Sequence, residues 1–539
     1  MESREKDVQS GPGVYKHLPV AAKHHDAPMV SVLLPTFNRP KYLAQALASA
    51  VNQTYRNLQV IVVNDGGEDV SDVIGSFNDP RVLFIDRKEN HGKAFSLNQA
   101  LAGAEGKYIA YLDDDDLYYP NHIETLVDAL EEKPQCGAAY SDLYNAHCEL
   151  APDGSRIILS KVVDVSRDFD RFLVLYFNNV LHVSLMHRKD LLERTGPYNE
   201  ALDVLIDWDM TRRLAFFTDF CHLCQITGQY HTTPGRSDRI SVRQRKDKRK
   251  YLGDALKIRT TRPPKPWLKI RDLSIIFTAA QPTRQTIETL ALIWRYTFYP
   301  YKLYLPMPQT QLDSLQTQMP NIVPIPVQPK ACEAERIDAA LAKCDGEYVA
   351  VVPAGFEIRD FWLEDSLYGL INSQGCRDAY ELEASSDALW AVVLEKSDLM
   401  RARSSFSHLP LRQSLEAANI RLRRLCPEEI PFQFDQLLEQ ARRTQKDGNY
   451  AKAAVMFQYI AEHYQNELWM KTLATEAFFK AANLTKAAEL ACELNRQRPT
   501  VDTLLLEARI KRQEKNFSEA IQLLEKAKQF IEARELIWT

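Results

Sequence analysis

Between Val30 and Leu112, short runs of β-branched and apolar residues alternate with segments whose apolar residues recur at helical spacing. That alternation admits few folds. Val30-Ser31-Val32-Leu33-Leu34 closes at Pro35, and Leu58 to Val63 ends at Asn64-Asp65-Gly66-Gly67. Val82 to Ile85 precedes Asp86-Arg87, and Tyr108 to Leu112 runs directly into Asp113-Asp114-Asp115-Asp116. Runs this short and this apolar read as strands buried on both faces. Tyr42, Leu43, Leu47 and Val51 form a helical stripe after Asn38-Arg39-Pro40, and Ser96 to Ala104 is helical. Strands separated by helices give a mostly parallel sheet with helices on both faces. Ligands bind such sheets beyond the carboxyl ends of the strands. Pro35–Arg39, Asp65, Arg87 and Asp113–Asp116 all stand at such ends, so they should converge in space.

The pattern then recurs. Ser274-Ile275-Ile276-Phe277 matches Ser31-Val32-Leu33-Leu34, and Tyr301 to Leu305 matches Leu58 to Val62. Ala340 to Ala350 matches Ala100 to Ala110. The polar chemistry does not recur: Pro308 stands where Asp65 would be, and Pro353-Ala354-Gly355-Phe356 replaces the acidic run. A second, catalytically silent copy of the α/β domain is expected. Further on, Asn449-Tyr450-Ala451-Lys452-Ala453-Ala454 returns as Asn483 to Ala488 and as Asn516 to Ile521, at spacings of 34 and 33 residues. That period resembles tetratricopeptide repeats, in which small residues let paired helices approach and stacked pairs form a superhelix.

A chain of 539 residues should hold about three domains. The expected divisions are a polar extension over 1–27, an α/β domain over 28–255 and a basic, Pro-rich linker over 256–270. A second α/β copy over 271–428 and an all-α repeat array over 429–539 complete the chain. The net charge of −5 argues against nucleic acid as a partner, which needs a basic footprint. No apolar run reaches the roughly 18–20 residues that span a bilayer. The first residues lack an apolar signal core, and the nine cysteines are mostly scattered, so a reducing cytoplasm is expected. Cys221-His222-Leu223-Cys224 is a tight pair that reads either as half of a zinc or redox site or, with no second pair nearby, as plain buried strand thiols.

Adjacent aspartates after a buried strand can serve a diphosphate. A hard divalent cation, Mg²⁺ or Mn²⁺, bridges phosphate oxygens to carboxylates and stabilises the leaving group. The alternative is a solvated acidic turn. Asp65, at another strand end before two glycines, can accept hydrogen bonds from a base or ribose, or close an Asx turn. Pro35-Thr36-Phe37-Asn38-Arg39 offers backbone groups, an aromatic edge and a cation.

Several blocks occur together in order: Pro-Thr-Phe-Asn-Arg at Pro35–Arg39, Val-Val-Asn-Asp-Gly at Val62–Gly66, and Asn90-His91-Gly92 with Asn98. Gly-Lys-Tyr-Ile-Ala-Tyr-Leu-Asp-Asp-Asp-Asp at Gly106–Asp116 and Ile-Asp-Trp-Asp-Met at Ile206–Met210 complete them. In these, Val30 to His231 resembles a family-2 glycosyltransferase of the GT-A fold, a Rossmann-like mixed sheet with helices on both faces. The resemblance implies a nucleotide-diphosphate sugar donor, a UDP-sugar favoured, and a divalent metal. It implies that Asp65 holds the base and Arg87 the nucleotide or its phosphates, alongside Pro35, Thr36, Phe37 and Arg39. Asp114 would lie near the ribose and donor sugar, and Asp115 would be the principal metal ligand with Asp113 close by. The four consecutive aspartates leave that register open by one residue. Asp207 would be the catalytic base; Ile206 replaces the first member of the family's acidic pair. Trp208 would shape the acceptor site, and His231 would approach the diphosphate or metal. The implied reaction is a single displacement that inverts the anomeric configuration. Gly235–Lys250, dense in arginine and lysine, would form a flap over the diphosphate, a peripheral contact with an anionic lipid carrier, or a solvated charge run. The helical array suggests a protein acceptor, flagellin-like surface proteins being one candidate. A surface polysaccharide is the rival acceptor, and a non-enzymatic scaffold the rival function.

Overall fold

The computed structural model describes residues 27–163, 165–233, 248–314, 321–359, 361–373, 377–382, 389–425, 433–463, 468–497 and 499–535. The expected polar extension and most of the expected basic flap lie outside them.

The first sheet contains nine described strands: β1 (Val30–Thr36), β2 (Leu58–Asn64), β3 (Val82–Asp86), β4 (Tyr108–Tyr111), β5 (Leu117–Tyr118), β6 (Cys136–Leu150), β7 (Arg156–Val162), β8 (Leu185–Arg188) and β9 (Asp219–Thr232). Their order is β3-β2-β1-β4-β8-β6-β9-β5, with β7 pairing outside β6. β3, β2, β1 and β4 are mutually parallel; β8 runs against both β4 and β6, and β9 is parallel to β6. The register sets Thr36 beside Asn64 and Asn64 beside Asp86, which brings the carboxyl ends of the first three strands level. Strand alternation divides the core. Leu33, Ile61, Val63, Ile109 and Tyr111 face one apolar cluster. Val32, Leu34, Val60, Val62 and Ala110 face the other. The helices that carry the site are α1 (Pro40–Val51), α2 (Ser71–Phe77), α3 (Lys93–Ala102), α4 (His122–Glu132), α5 (Arg171–Tyr176), α6 (Leu192–Thr195) and α7 (Ile206–Leu214).

The second sheet comprises β10 (Leu273–Phe277), β11 (Tyr301–Met307), β12 (Ile322–Pro326), β13 (Tyr348–Val352), β14 (Asp378–Glu381), β15 (Val392–Glu395) and β16 (Arg421–Arg423). Its order, β12-β11-β10-β13-β15-β14-β16, repeats that of β3-β2-β1-β4-β8-β6-β9 strand for strand. The senses repeat too, parallel through β13, antiparallel at β15, and parallel again between β14 and β16. One hydrogen bond recurs with the topology. Gly106 N donates to the buried Ser31 Oγ at 2.9 Å, and Gly346 N donates to Ser274 Oγ at 3.0 Å. A Cβ on either glycine would come within 3.0 Å of the first strand, so only glycine admits this approach.

The stretch expected as a linker, 256–270, is packed instead. The helix α8 (Lys248–Thr260) spans the expected division at 255, and Ile258 is fully buried. Trp267 packs edge-on against Phe216 at 4.9 Å, and Lys269 N donates to Phe216 O at 3.0 Å. The two sheets share one apolar cluster, which joins Leu33 and Ile61 to Ile275 and Leu303. At their junction the buried Arg212 of α7 donates to Thr261 O at 2.7 Å, Arg259 O at 3.0 Å and Phe298 O at 3.3 Å.

Beyond Arg423 the described chain is helical, in consecutive segments 433–446, 450–463, 468–480, 484–497, 501–513 and 517–535. Ala453, Ala487 and Ala520, equivalent in the 34- and 33-residue period, are all buried. Among the described residues no helix is long and apolar enough to cross a membrane.

Candidate active site

The acidic run leaves β4 at the sheet's carboxyl end and folds back toward β5. Burial separates the four side chains. Asp113 is partly exposed and ion-pairs with Lys93 Nζ at 2.5 Å. Asp114 is buried: its Oδ2 accepts from Thr36 Oγ1 at 2.8 Å and Phe37 N at 3.4 Å, and its Oδ1 from Arg39 Nη1 at 3.0 Å. Asp115, also buried, pairs with the same Arg39 nitrogen at 3.0 Å and with Arg156 Nη2 at 3.6 Å. Asp116 Oδ1 accepts from His231 N at 3.1 Å. The strand end at Thr36–Arg39 and the acidic run therefore close on each other across about 75 residues of sequence, as parallel pairing of β1 with β4 requires.

Crowded carboxylates in a dry site resist ionisation. Burial, with Asp116 and Asp114 adding to it and Arg39 opposing, pushes Asp115 up to about 7. Burial also raises Asp114, against Arg39 and the Thr36 hydroxyl. Carboxylate oxygens of Asp113, Asp115 and Asp116 lie within 4.8 Å of one another. An all-oxygen group of this kind suits a hard divalent cation, so these residues fit a Mg²⁺ or Mn²⁺ ion.

At the end of β2, Asp65 Oδ1 accepts from Arg87 Nη1 at 2.9 Å and His91 N at 3.1 Å, and its Oδ2 from Gly92 N at 2.8 Å. Arg87 also lies 4.2 Å over the Phe95 ring. Asp65 thus gathers the β3 end and the start of α3 onto its carboxylate. Gly66 takes a left-handed φ of +72°, and a Cβ there would sit 2.5 Å from the Glu89 carbonyl carbon. Glycine is required by both conformation and space. Phe37 is 43% exposed, and Pro35 lies within β1.

Asp207 stands in the first turn of α7, after Leu205 in the left-handed region. Asn178 Nδ2 donates to its Oδ2 at 2.7 Å. Burial raises Asp207, and Lys93 opposes that. Burial alone would lower Lys93, but Asp113, Asp207 and Asp115 outweigh it and hold the ammonium charged. Lys93 is thus the electrostatic link between the acidic run and Asp207.

Two expected residues are held by contacts of their own. Trp208 is 3% exposed, lies in the core shared by the two sheets, and donates its indole N–H to Val174 O at 2.8 Å. It ties α7 to α5. His231 Nδ1 is 2.7 Å from Asp115 O, and its Nε2 is 2.9 Å from Gln229 Nε2. The carbonyl fixes Nδ1 as donor and leaves Nε2 accepting from the amide. With both nitrogens engaged, His231 braces the backbone of the acidic run, and its Nδ1 lies 3.9 Å from Asp116 Oδ1 at the edge of the carboxylate group. Sequence reading missed Lys93, Asn178 and Arg156. Arg156 comes from β7, donates Nη1 to Asp115 O at 2.7 Å and stacks over Tyr42 at 3.8 Å. Lys93 directly follows the Asn90-His91-Gly92 block, which was the available signal for it.

Residues 31–163 match the family model described as Glycosyl transferase family 2, so the chain carries a domain of that family. An uncharacterized glycosyltransferase of Rickettsia typhi is 31% identical over 192 residues, 34% of this chain and 58% of that protein. A chondroitin synthase of Pasteurella multocida is 31% identical over 223 residues, 40% of this chain and 22% of that protein. The chain thus spans less than two thirds of the relatives it matches. Among solved structures, that of Staphylococcus aureus TarS 1–349 in complex with UDP aligns with a TM-score of 0.34 and 17% identity, covering 43% of this chain and 64% of that one.

Proposed function

We propose that the chain is an inverting, metal-dependent glycosyltransferase that moves a hexosyl or N-acetylhexosaminyl unit from a nucleotide-diphosphate sugar to an acceptor hydroxyl. The observation that carries the reading is the cluster of Asp113, Asp115 and Asp116 at one strand end, linked through Lys93 to a separate carboxylate, Asp207, on α7. Two carboxylate centres on different elements suit a displacement in which one end handles a diphosphate and the other a hydroxyl. A divalent cation held by Asp113, Asp115 and Asp116 would supply positive charge to the departing diphosphate. Asp65 and Arg87 take the nucleoside, with Phe37 against the base. Asp114, locked by Thr36 and Arg39, orients the donor sugar. Asp207, oriented by Asn178, accepts the proton of the acceptor hydroxyl as that oxygen bonds to the anomeric carbon and the bond to the diphosphate oxygen breaks. The second sheet keeps the topology without the acidic run; we read it as a non-catalytic copy that buttresses α7 through Arg212.

For the acceptor, the helical array favours a Ser or Thr side chain of a protein: Phe517, Ile521 and Leu524 are exposed at helical spacing on its last helix. The likeness to a chondroitin synthase favours a polysaccharide. Transfer assays on Asp207→Asn and Asp115→Ala test the site: both should lose metal-dependent transfer, and full transfer by both would refute it. Removing 429–539 separates the acceptors. Loss of transfer to protein with donor hydrolysis retained supports the first; unchanged acceptor use supports the polysaccharide.

A further inference from the structure

Midway along β9 the pairing with β6 slips: Ser141 lies opposite Leu223, but Asp142 lies opposite Ile226. Cys224 and Gln225 are thereby extruded from the ladder. Such bulges re-aim side chains, and this one brings Cys224 Sγ to 3.8 Å from His222 Nδ1. The same nitrogen is 3.0 Å from Asp168 Oδ1. Behind the ring, Nε2 is 2.9 Å from Oδ1 of the buried Asp142, whose Oδ2 accepts from Ser166 Oγ at 2.8 Å. Tyr140 stacks on the imidazole at 4.9 Å and fixes its plane. The His222 side chain is 3% exposed, whereas Cys224 is exposed and Asp168 is 59% exposed.

This corrects the expectation of two buried strand thiols. Cys221 is buried with Lys133 Nζ 3.5 Å from its sulfur, while Cys224 belongs to a solvent-facing cluster. Burial opposes charge on the ring, but the hydrogen bonds to Asp142, Cys224 and Asp168 outweigh it and push the imidazole up to about 10. Nε2–H donates to Asp142 and Nδ1–H to Asp168, so a metal at Nδ1 takes the place of that proton. A carboxylate behind a histidine and ligands in front of it is how proteins orient zinc-binding imidazoles. Tetrahedral zinc, with Zn–S about 2.3 Å and Zn–N about 2.0 Å, sets its N···S edge near 3.5 Å, close to the separation here.

We propose that His222 Nδ1, Cys224 Sγ and the Asp168 carboxylate form a zinc site, oriented by Asp142 and open to solvent at its fourth position. Binding releases the thiol proton and any proton on Nδ1. The thiolate and imidazole select a borderline-soft ion, unlike the all-oxygen cluster of the acidic run. Zinc there would staple the segment ahead of α5 to β9. Phe169, next to Asp168, already stacks on Phe220 at 4.5 Å, and α5 leads to Asn178.

The test uses the full chain stripped of metal, with Co²⁺ as the optical probe. One equivalent should give a thiolate-to-metal charge-transfer band that Zn²⁺ abolishes. Cys224→Ser, a change at an exposed position, should lack the band, and Asp115→Asn should keep it. Absence of the band, or its persistence in Cys224→Ser, overturns the proposal. Independently, Zn²⁺ should slow alkylation of Cys224 by about tenfold or more. Cys332 and Cys492, both exposed, should react unchanged. No slowing, or equal slowing of all three, also overturns it.

Discussion

Glu364 is fully buried beneath the junction of the two sheets, where its Oε1 accepts from Phe298 N at 2.7 Å and Tyr299 N at 3.1 Å. Among the described residues its Oε2 has no hydrogen-bond partner. Burial, opposed by those two backbone donors, pushes its pKa from 4.5 up to about 7. A group raised on folding binds more protons folded than unfolded. Its contribution is fully present below about 4.5 and is lost as pH rises through about 7. At 1.36 kcal/mol per unit the full effect is about 3 kcal/mol. Glu364→Gln keeps the acceptor for both N–H groups and places a neutral amide where the second oxygen lacked a partner. The variant should therefore match the parent near pH 4.5 and exceed it by up to about 3 kcal/mol above pH 7. Urea unfolding of both proteins at a series of pH values measures the difference. A difference independent of pH, or one that grows toward acid, would refute the reasoning. The effect bears on function because Phe298 O is a partner of Arg212 on α7, the helix that carries Asp207.

Three further perturbations probe the site. Lys93→Met removes the cation that opposes the raised pKa of Asp207; the acid limb of kcat/KM should move to higher pH, so activity falls more at pH 6 than at pH 8, and an unchanged profile would remove Asp207 as the base. Arg39→Met leaves Asp114 and Asp115 without their shared counter-charge. It should cost about 1–3 kcal/mol in metal-free protein and enlarge the thermal shift given by Mn²⁺, because the guanidinium no longer competes for Asp115. Gly66→Ala forces a Cβ to 2.5 Å from the backbone at Glu89 in a left-handed conformation; it should destabilise by about 1–2 kcal/mol and weaken nucleotide binding measured by calorimetry.

The convergence of Pro35–Arg39, Asp65, Arg87 and the acidic run could be read from sequence because it follows from period alone. Strands buried on both faces are parallel, and parallel strands end together. What escaped came from geometry that local pattern does not encode. Arg156 reaches Asp115 only through the pairing of β7 with β6, which shifts between His147 and Cys148. Trp208 follows Asp207 directly, and neighbours on a helix point about 100° apart, so with Asp207 toward Lys93 the indole turns into the core. Gln229 and His231 share one face of β9 as i and i+2, which fills the second nitrogen of His231. Cys224 took its place from a bulge, a departure from period that the sequence around Cys221 leaves unmarked.

The second sheet sharpens what the acidic run does. Topology, the glycine–serine contact and the apolar alternation recur there, so none of these needs Asp113–Asp116 in order to form. In the first sheet the run is costly to fold: two of its carboxyls are raised by burial, and Arg39, Arg156, Lys93 and His231 are arranged around it. In the second, Pro353 follows β13 in place of the first aspartate, and Gly355 N donates to Thr289 Oγ1 at 3.2 Å. The second sheet reaches the same strand end without such a run, so the four aspartates answer to something other than the stability of the sheet. Three cations, Arg39, Arg156 and Lys93, lie against the run; under the metal-dependent function proposed above a divalent cation takes over part of their role, and Arg39→Met is the variant that exposes that exchange.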